Sequence, residues 1–305
     1  MINRLSIYFS EQGRPLFVLL LSALTSVAVL GMYEASLGQE SLTIGPTLLV
    51  AVSTYFLIFL HWRVADEFKD QETDRRFFPH RPIPSGRVAL SDLRALLIAI
   101  TVLVFLINAV WNTAFVPFLV VFVYALLMSK WFFLERYLAP NRFMAVLTHS
   151  PTFVLLNLYV IAWYAKQQGH SVLSPESFAI TTWFLSHVLS WEFARKAWAP
   201  SQEMPGYQTY SSVLGYRRAG LLPLVFVLAQ WLMLAWLCAR FDLSRWILLM
   251  TGIPMLAFAD VCIRYALRPE DYAARLNRVA PLYLISIPFV VVLYFATFSG
   301  IRLVG

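Results

Sequence analysis

An all-α bundle of membrane-spanning helices is the fold class this sequence predicts, and three observations carry it. The 305 residues are 59% hydrophobic and only 13% charged, far from ordinary soluble usage. The apolar residues form continuous runs without the alternation of lipid-facing strands, so helices rather than a barrel follow. The cations are segregated: Lys and Arg gather in alternate connecting segments.

Taken in order, the apolar windows predict about nine spans, at roughly 15–34, 43–61, 92–110, 114–130, 143–164, 175–193, 219–239, 245–265 and 280–299. The first follows Arg4 and Arg14 and lacks a small-residue cleavage site, which reads as a retained span rather than a signal peptide. Residues 95–129 contain no charge and are too long for one crossing, so the chain turns back within them, at Asn108 to Thr113. With the N-terminus inside, all but Lys166, Arg240, Arg245 and Arg302 of the 24 Lys and Arg fall on the inner side. That distribution accounts for the net charge of +7 through topology and anionic lipid, and no nucleic-acid motif is seen. Cys238 and Cys262 lie in spans and suggest neither a disulfide framework nor a zinc site. A single membrane domain over residues 1–305 is expected.

The longest inner loops, 62–91 and 194–218, are where chemistry is expected. The first carries Asp66, Asp70 and Asp74, four residues apart. Each such step on a helix rises about 6 Å and turns roughly 40°, which places the carboxylates along one face. Like charges at that spacing repel. Their retention at a membrane edge points to a cation between them, Mg²⁺ carrying a phosphorylated substrate.

The order Asp66-Glu67-x-x-Asp70-x-x-x-Asp74, followed by Arg81-Pro82-Ile83-Pro84-Ser85-Gly86, resembles the first motif of the UbiA superfamily of intramembrane prenyltransferases, NDxxDxxxD with RPxxxG. Asp66 stands for the family's Asn and Glu67 for its first Asp. The family's YPxxKR segment is similar to Trp131–Arg136, where Arg136 is kept and Glu135 replaces Lys. Its second acidic motif, DxxxD, corresponds to Glu192-Phe-Ala-Arg195-Lys196, with lysine in the second acidic position. Arg14-Pro15 is similar to an Arg-Pro near the family's first span.

The resemblance implies a nine-helix bundle, both acidic loops on the cytosolic side of a membrane such as the bacterial inner membrane, and transfer of an isoprenyl group from an allylic diphosphate to an aromatic acceptor. It implies Asp66, Asp70, Asp74 and Glu192 as catalytic, metal-binding acids, and Arg136, Lys196, Arg81, Arg195 and Arg14 as diphosphate ligands. Lys196 weakens the case for a second fully coordinated Mg²⁺. The alternatives are a terpene cyclase on the same scaffold or a membrane transporter. The Asp-Gly-x-x-Ala-Arg segment required by CDP-alcohol phosphotransferases does not occur.

Other polar residues have plainer readings. Asp260 and Arg264, one turn apart, are expected to neutralise each other. His149 and His187 lack companion ligands and read as satisfied core histidines. Tyr207, Tyr210 and Ser211 are expected to line an acceptor pocket or to order the second loop.

Overall fold

The structure is a computed structural model and describes residues 1–39, 41–111 and 114–303. It is all-α apart from one short strand pair, and it is a multi-pass membrane protein. Among the described residues, seven helices are long and apolar enough to cross a bilayer: Pro15–Ser36, Pro46–Lys69, Leu90–Val110, Arg142–Gln167, Tyr216–Arg240, Trp246–Leu267 and Pro269–Phe298.

Two of the expected spans depart from that pattern. Phe115–Met128 has 14 residues, about 21 Å at helical rise, which is short of a hydrocarbon core of about 30 Å. Pro175–Ala194 has the length but carries Ser177, Thr181, Ser186, His187 and Ser190, all buried. Polar residues inside a bundle face protein rather than lipid, which lowers the helix's hydropathy without making it a loop. Where the turn is expected, at Asn108 to Thr113, the helix runs on through Val110 and the chain leaves it at Trp111. Asn108 is inside Leu90–Val110 with its amide donating to Thr54 Oγ1 at 2.8 Å, and Asn112 and Thr113 lie outside the described residues.

The strand pair was not foreseen. Leu42–Ile44 pairs in parallel with Ile301–Leu303, Leu42 opposite Ile301. Thr43, Ile44 and Ile301 are β-branched, and each segment follows a glycine, Gly38 or Gly300, that stands at positive φ after a helix. The pairing puts residues 42–44 and 301–303 on one side of the bilayer, so an even number of crossings separates them. The six long helices after the first satisfy this, and Phe115–Met128 and Pro175–Ala194 must then both cross or both fail to cross.

The chain divides into two compact units. One comprises Met1–Ala23 and Thr47–Gln167, the other Leu24–Pro46 and residues from Gln168 onward. In the first, a buried polar network ties three helices: Tyr159 donates to Asn108 Oδ1 at 2.5 Å and lies 3.0 Å from Thr54 Oγ1. Such groups have no water to turn to in a bilayer and satisfy one another.

In the second unit, Tyr216–Arg240 and Trp246–Leu267 meet at Gly220. A Cβ there would stand 2.8 Å from Tyr265 Cδ1 and 2.9 Å from both Cβ and the backbone nitrogen of Ala266. A small residue is what permits this approach. Gly220→Ala is expected to destabilise by about 1–3 kcal/mol, the usual range for overpacking. Thermal unfolding in detergent checks this, with Gly252→Ala, where a Cβ meets nothing within 4 Å, as the control.

Candidate active site

The first acidic loop is built where a long helix is interrupted at a single residue, Asp70, and then resumes. Pro46–Lys69 ends at Lys69, Asp70 adopts φ −95° and ψ 9°, and Gln71–Phe77 resumes the helix. Asp70 N donates to Asp66 O at 2.9 Å and Asp74 N to Asp70 O at 2.8 Å, so Asp70 closes the last turn of one helix and opens the first of the next.

Over two such steps the rotation accumulates. Asp74 is turned roughly 80° from Asp66 on a regular helix, but only about 20° from Glu67, seven residues before it. The side chains follow this rule. Glu67 and Asp74 are buried and line one cleft with Gln71, closed on the far side by Ile83, Pro84 and Val88. Asp66 is 38% exposed and Asp70 is exposed. Each acid of known partner meets a local cation: Asp66 and Lys69 at 2.9 Å, Glu67 and Arg63 at 3.1 Å, Asp74 and Arg81 at 2.7 Å.

The Arg81–Gly86 segment returns the chain over that cleft. Ser85 N donates to Arg81 O and Gly86 N to Ile83 O, both at 3.0 Å, and Gly86 has φ +76°, a conformation glycine adopts without penalty. Arg81 also lies over the Phe78 ring at 3.9 Å. Removing Arg81 leaves the Asp74 carboxylate, 9% exposed, without this partner. Arg81→Ala is expected to cost about 2–4 kcal/mol, less than the roughly 3–5 kcal/mol of a fully buried pair because Arg81 is 35% exposed and solvent screens it. Adding Asp74→Asn should restore part of that loss in a double-mutant cycle on thermal stability.

The N-terminal segment straps this loop. Tyr8 is fully buried and donates to Arg63 O at 3.2 Å, Arg4 pairs with Asp92, and Glu11 pairs with Arg87. Hydrogen bonding from Arg87 holds the Glu11 carboxyl below the usual carboxylate range. That contact is therefore present above the ordinary Glu pKa and is lost as pH falls through the lowered one. Arg14 sits exposed between the strap and the first span, at φ 41° before Pro15.

Trp131–Phe133 is a single 3-10 turn whose three residues all have positive φ, 50°, 52° and 59°. Such backbone is unfavourable for residues with a Cβ and persists only where surrounding contacts hold it. Arg136 follows, exposed on the helix Glu135–Leu138. His149 differs from its expected core role. It is half-exposed, its Nε2 stands 3.3 Å from Lys69 Nζ, and its ring meets Trp131 edge-on at 5.3 Å.

In the second unit, Glu192 occupies the last turn of Pro175–Ala194. It accepts from Arg195 at 2.6 Å, lies 3.3 Å from Lys196 Nζ, and accepts from the Tyr210 hydroxyl at 3.1 Å. Cations just past a helix C-terminus also complement its dipole. The following loop is organised on Glu203, which accepts from Thr209 Oγ1 at 2.7 Å and Ser211 Oγ at 2.6 Å, while Ser211 Oγ accepts from Trp198 N at 2.9 Å. Tyr210 and Ser211 thus order the loop, and Tyr207 stacks on Trp198 at 5.1 Å. The Asp260–Arg264 pair matches its plainer reading, with Arg264 meeting Asp260 at 2.8 Å, and His187 matches in part: it is buried with Nε2 2.8 Å from Leu284 O, while its buried Nδ1 meets no hydrogen-bond partner among the described residues.

No family model matches the sequence, and no curated protein matches it significantly. Among solved structures, that of digeranylgeranylglyceryl phosphate synthase in membranes matches over 98% of this chain and 99% of its own, with a TM-score of 0.55 and 14% identity. The fold is UbiA-like. At this identity the likeness speaks for the fold, over nearly the full length of both chains.

The donor set tests whether a metal suits this loop. Among the described residues, no three His, Cys, Asp or Glu side chains stand close enough to hold an ion by protein ligands alone. Mg²⁺ does not need them, being commonly held by one or two carboxylates with phosphate oxygens and water. Asp66 and Asp70, accessible oxygen donors one helical turn apart, fit such a substrate-bridged ion. Asp74, buried against Arg81, is placed to orient that arginine.

Proposed function

We propose that this chain is an integral membrane prenyltransferase that moves an isoprenyl group from an allylic diphosphate to a lipophilic or aromatic acceptor. The observation that carries this is the UbiA-like fold over 98% of the chain, with the Asp66–Asp74 bend and the Arg81–Gly86 return forming one folded unit. Residues 1–305 are read as one transferase domain, supported by the extent of that match. The distribution of Lys and Arg supports a cytosolic N-terminus with both polar loops on the same side of a bacterial inner membrane.

Asp66 and Asp70 would hold Mg²⁺, with Asp74 setting Arg81; Glu192 is the corresponding acid of the second loop. When bound, the ion supplies Lewis-acid stabilisation of charge on the departing diphosphate. The chain's cations Arg81, Arg136, Arg195, Lys196 and Arg14 are assigned to diphosphate oxygens. Their stabilisation grows as the allylic carbon–oxygen bond breaks and its electron pair leaves with diphosphate. The acceptor's electron-rich carbon then bonds to the allylic carbon and a proton departs. Apolar helices hold the isoprenoid chain and keep water from the cation.

Each acid with a local cation has its charge balanced before substrate arrives, which avoids the cost of an uncompensated carboxylate at a membrane edge. Purified protein given geranyl, farnesyl or geranylgeranyl diphosphate, with Mg²⁺ and a panel of aromatic acceptors, is expected to yield prenylated acceptor and diphosphate. Cyclised hydrocarbon without acceptor would instead identify a terpene cyclase. No consumption of any prenyl diphosphate, together with metal flux into proteoliposomes, would identify a transporter.

A further inference from the structure

Lys69 is an enclosed cation at the end of the helix that carries Asp66. Its side chain is 7% exposed, and its ammonium stands 2.9 Å from Asp66 Oδ1, 3.3 Å from His149 Nε2 and 4.7 Å from the centre of the Trp131 ring. All four residues belong to one compact unit. An ammonium only donates, so His149 Nε2 accepts and the ring proton sits on Nδ1, 3.2 Å from Thr148 Oγ1. Trp131 opens the run of left-handed residues, so strained backbone presents the ring to the lysine. A helix-end lysine needing only its i,i+3 partner would require neither the imidazole nor the bent turn.

This arrangement conflicts with metal at the same carboxylate. A cation held by Asp66 would meet the Lys69 ammonium, which stands 2.9 Å from the same carboxylate, and the two positive charges would repel. The lysine must then turn away, and its four-carbon stem allows it. A diphosphate oxygen is the partner that would replace the carboxylate.

We propose that Lys69 is an exchangeable counter-ion of Asp66: its ammonium neutralises the carboxylate before substrate arrives and would swing to a diphosphate oxygen when Asp66 is required to hold the metal. His149 and Trp131 keep it at that boundary. The inference rests on the prenyl diphosphate reading of this loop and adds a ligand to it.

The test measures binding without turnover, on the full chain in lipid nanodiscs, with Mn²⁺ detected by electron paramagnetic resonance and inorganic diphosphate as the anion. Lys69→Gln is expected to bind Mn²⁺ alone about 3- to 10-fold more tightly, because a competing charge is gone. It should bind diphosphate in the presence of Mn²⁺ about 10-fold more weakly, because a charged hydrogen bond is lost. Lys69→Arg keeps the charge and should return both values toward wild type. The opposed signs are the signature. Changes of one sign, or no change while Asp66→Asn still weakens Mn²⁺ binding, mark a simple helix-end ion pair and overturn the inference alone. Absence of Mn²⁺ binding by the wild-type chain, with or without diphosphate, overturns the inference and the reading of the loop together.

Discussion

Asp70→Ala is expected to reduce Mg²⁺-dependent release of diphosphate from a prenyl diphosphate by about 10²- to 10³-fold, the scale of losing one preorganised electrostatic contribution to the transition state. The folding cost should be small. Asp70 begins the helix Gln71–Phe77, yet its side chain makes no capping hydrogen bond, and it is exposed. A loss of turnover with thermal stability within about 1 kcal/mol of wild type therefore assigns the effect to chemistry rather than to unfolding. Asp70→Asn should behave similarly, because an amide keeps the shape but not the charge that suits Mg²⁺. Steady-state release of diphosphate over a Mg²⁺ series, beside a melting curve, provides both measurements. Unchanged release by Asp70→Ala would sink the assignment.

Glu192→Ala is expected to have the second large effect, for a different reason. Three donors converge on this carboxylate, from Arg195, Lys196 and Tyr210, and its side chain is 15% exposed. Truncation leaves a buried tyrosine hydroxyl without this acceptor, at about 1–3 kcal/mol, and releases two cations from their set positions. Turnover should fall by about 10²-fold. Glu192→Gln separates the two consequences: its amide oxygen still accepts from Tyr210, so stability should recover while turnover stays low. Lys196→Gln should raise KM for the prenyl diphosphate more than it lowers kcat, as expected for a ligand present in both ground and transition states. Equal turnover in Glu192→Gln and wild type would remove Glu192 from the catalytic set.

The sequence and the structure meet at different depths in the two loops. Around Asp70, local spacing was informative because backbone hydrogen bonds join Asp70 to Asp66 before the break and Asp74 to Asp70 after it. The same spacing misled about facing. Steps of four accumulate rotation, so Asp74 joins Glu67 in the cleft instead of extending the line from Asp66. The seven-residue interval from Glu67 to Asp74 was the available sign. At Glu192, the i+3 and i+4 cations were readable, but Tyr210 was not, since a loop built on Glu203 delivers it. His149 gave no local signal at all. It reaches Lys69 across 80 residues of chain, and only tertiary packing makes that contact.

What the amino-acid order determined by itself was the class of molecule and the placing of its charges. Long apolar runs require backbone hydrogen bonds to close within each segment, which makes helices wherever hydrocarbon is the solvent, and this rule needs no knowledge of neighbours. What tertiary structure alone decided was which charge answers which. It set Asp74 against Arg81, aimed Lys69 between Asp66 and His149, and paired Leu42–Ile44 with Ile301–Leu303. Those outcomes depend on distances of a few ångströms between parts of the chain far apart in order. Electrostatic and hydrogen-bond energies change steeply over such distances, whereas hydropathy summed over a window does not register them.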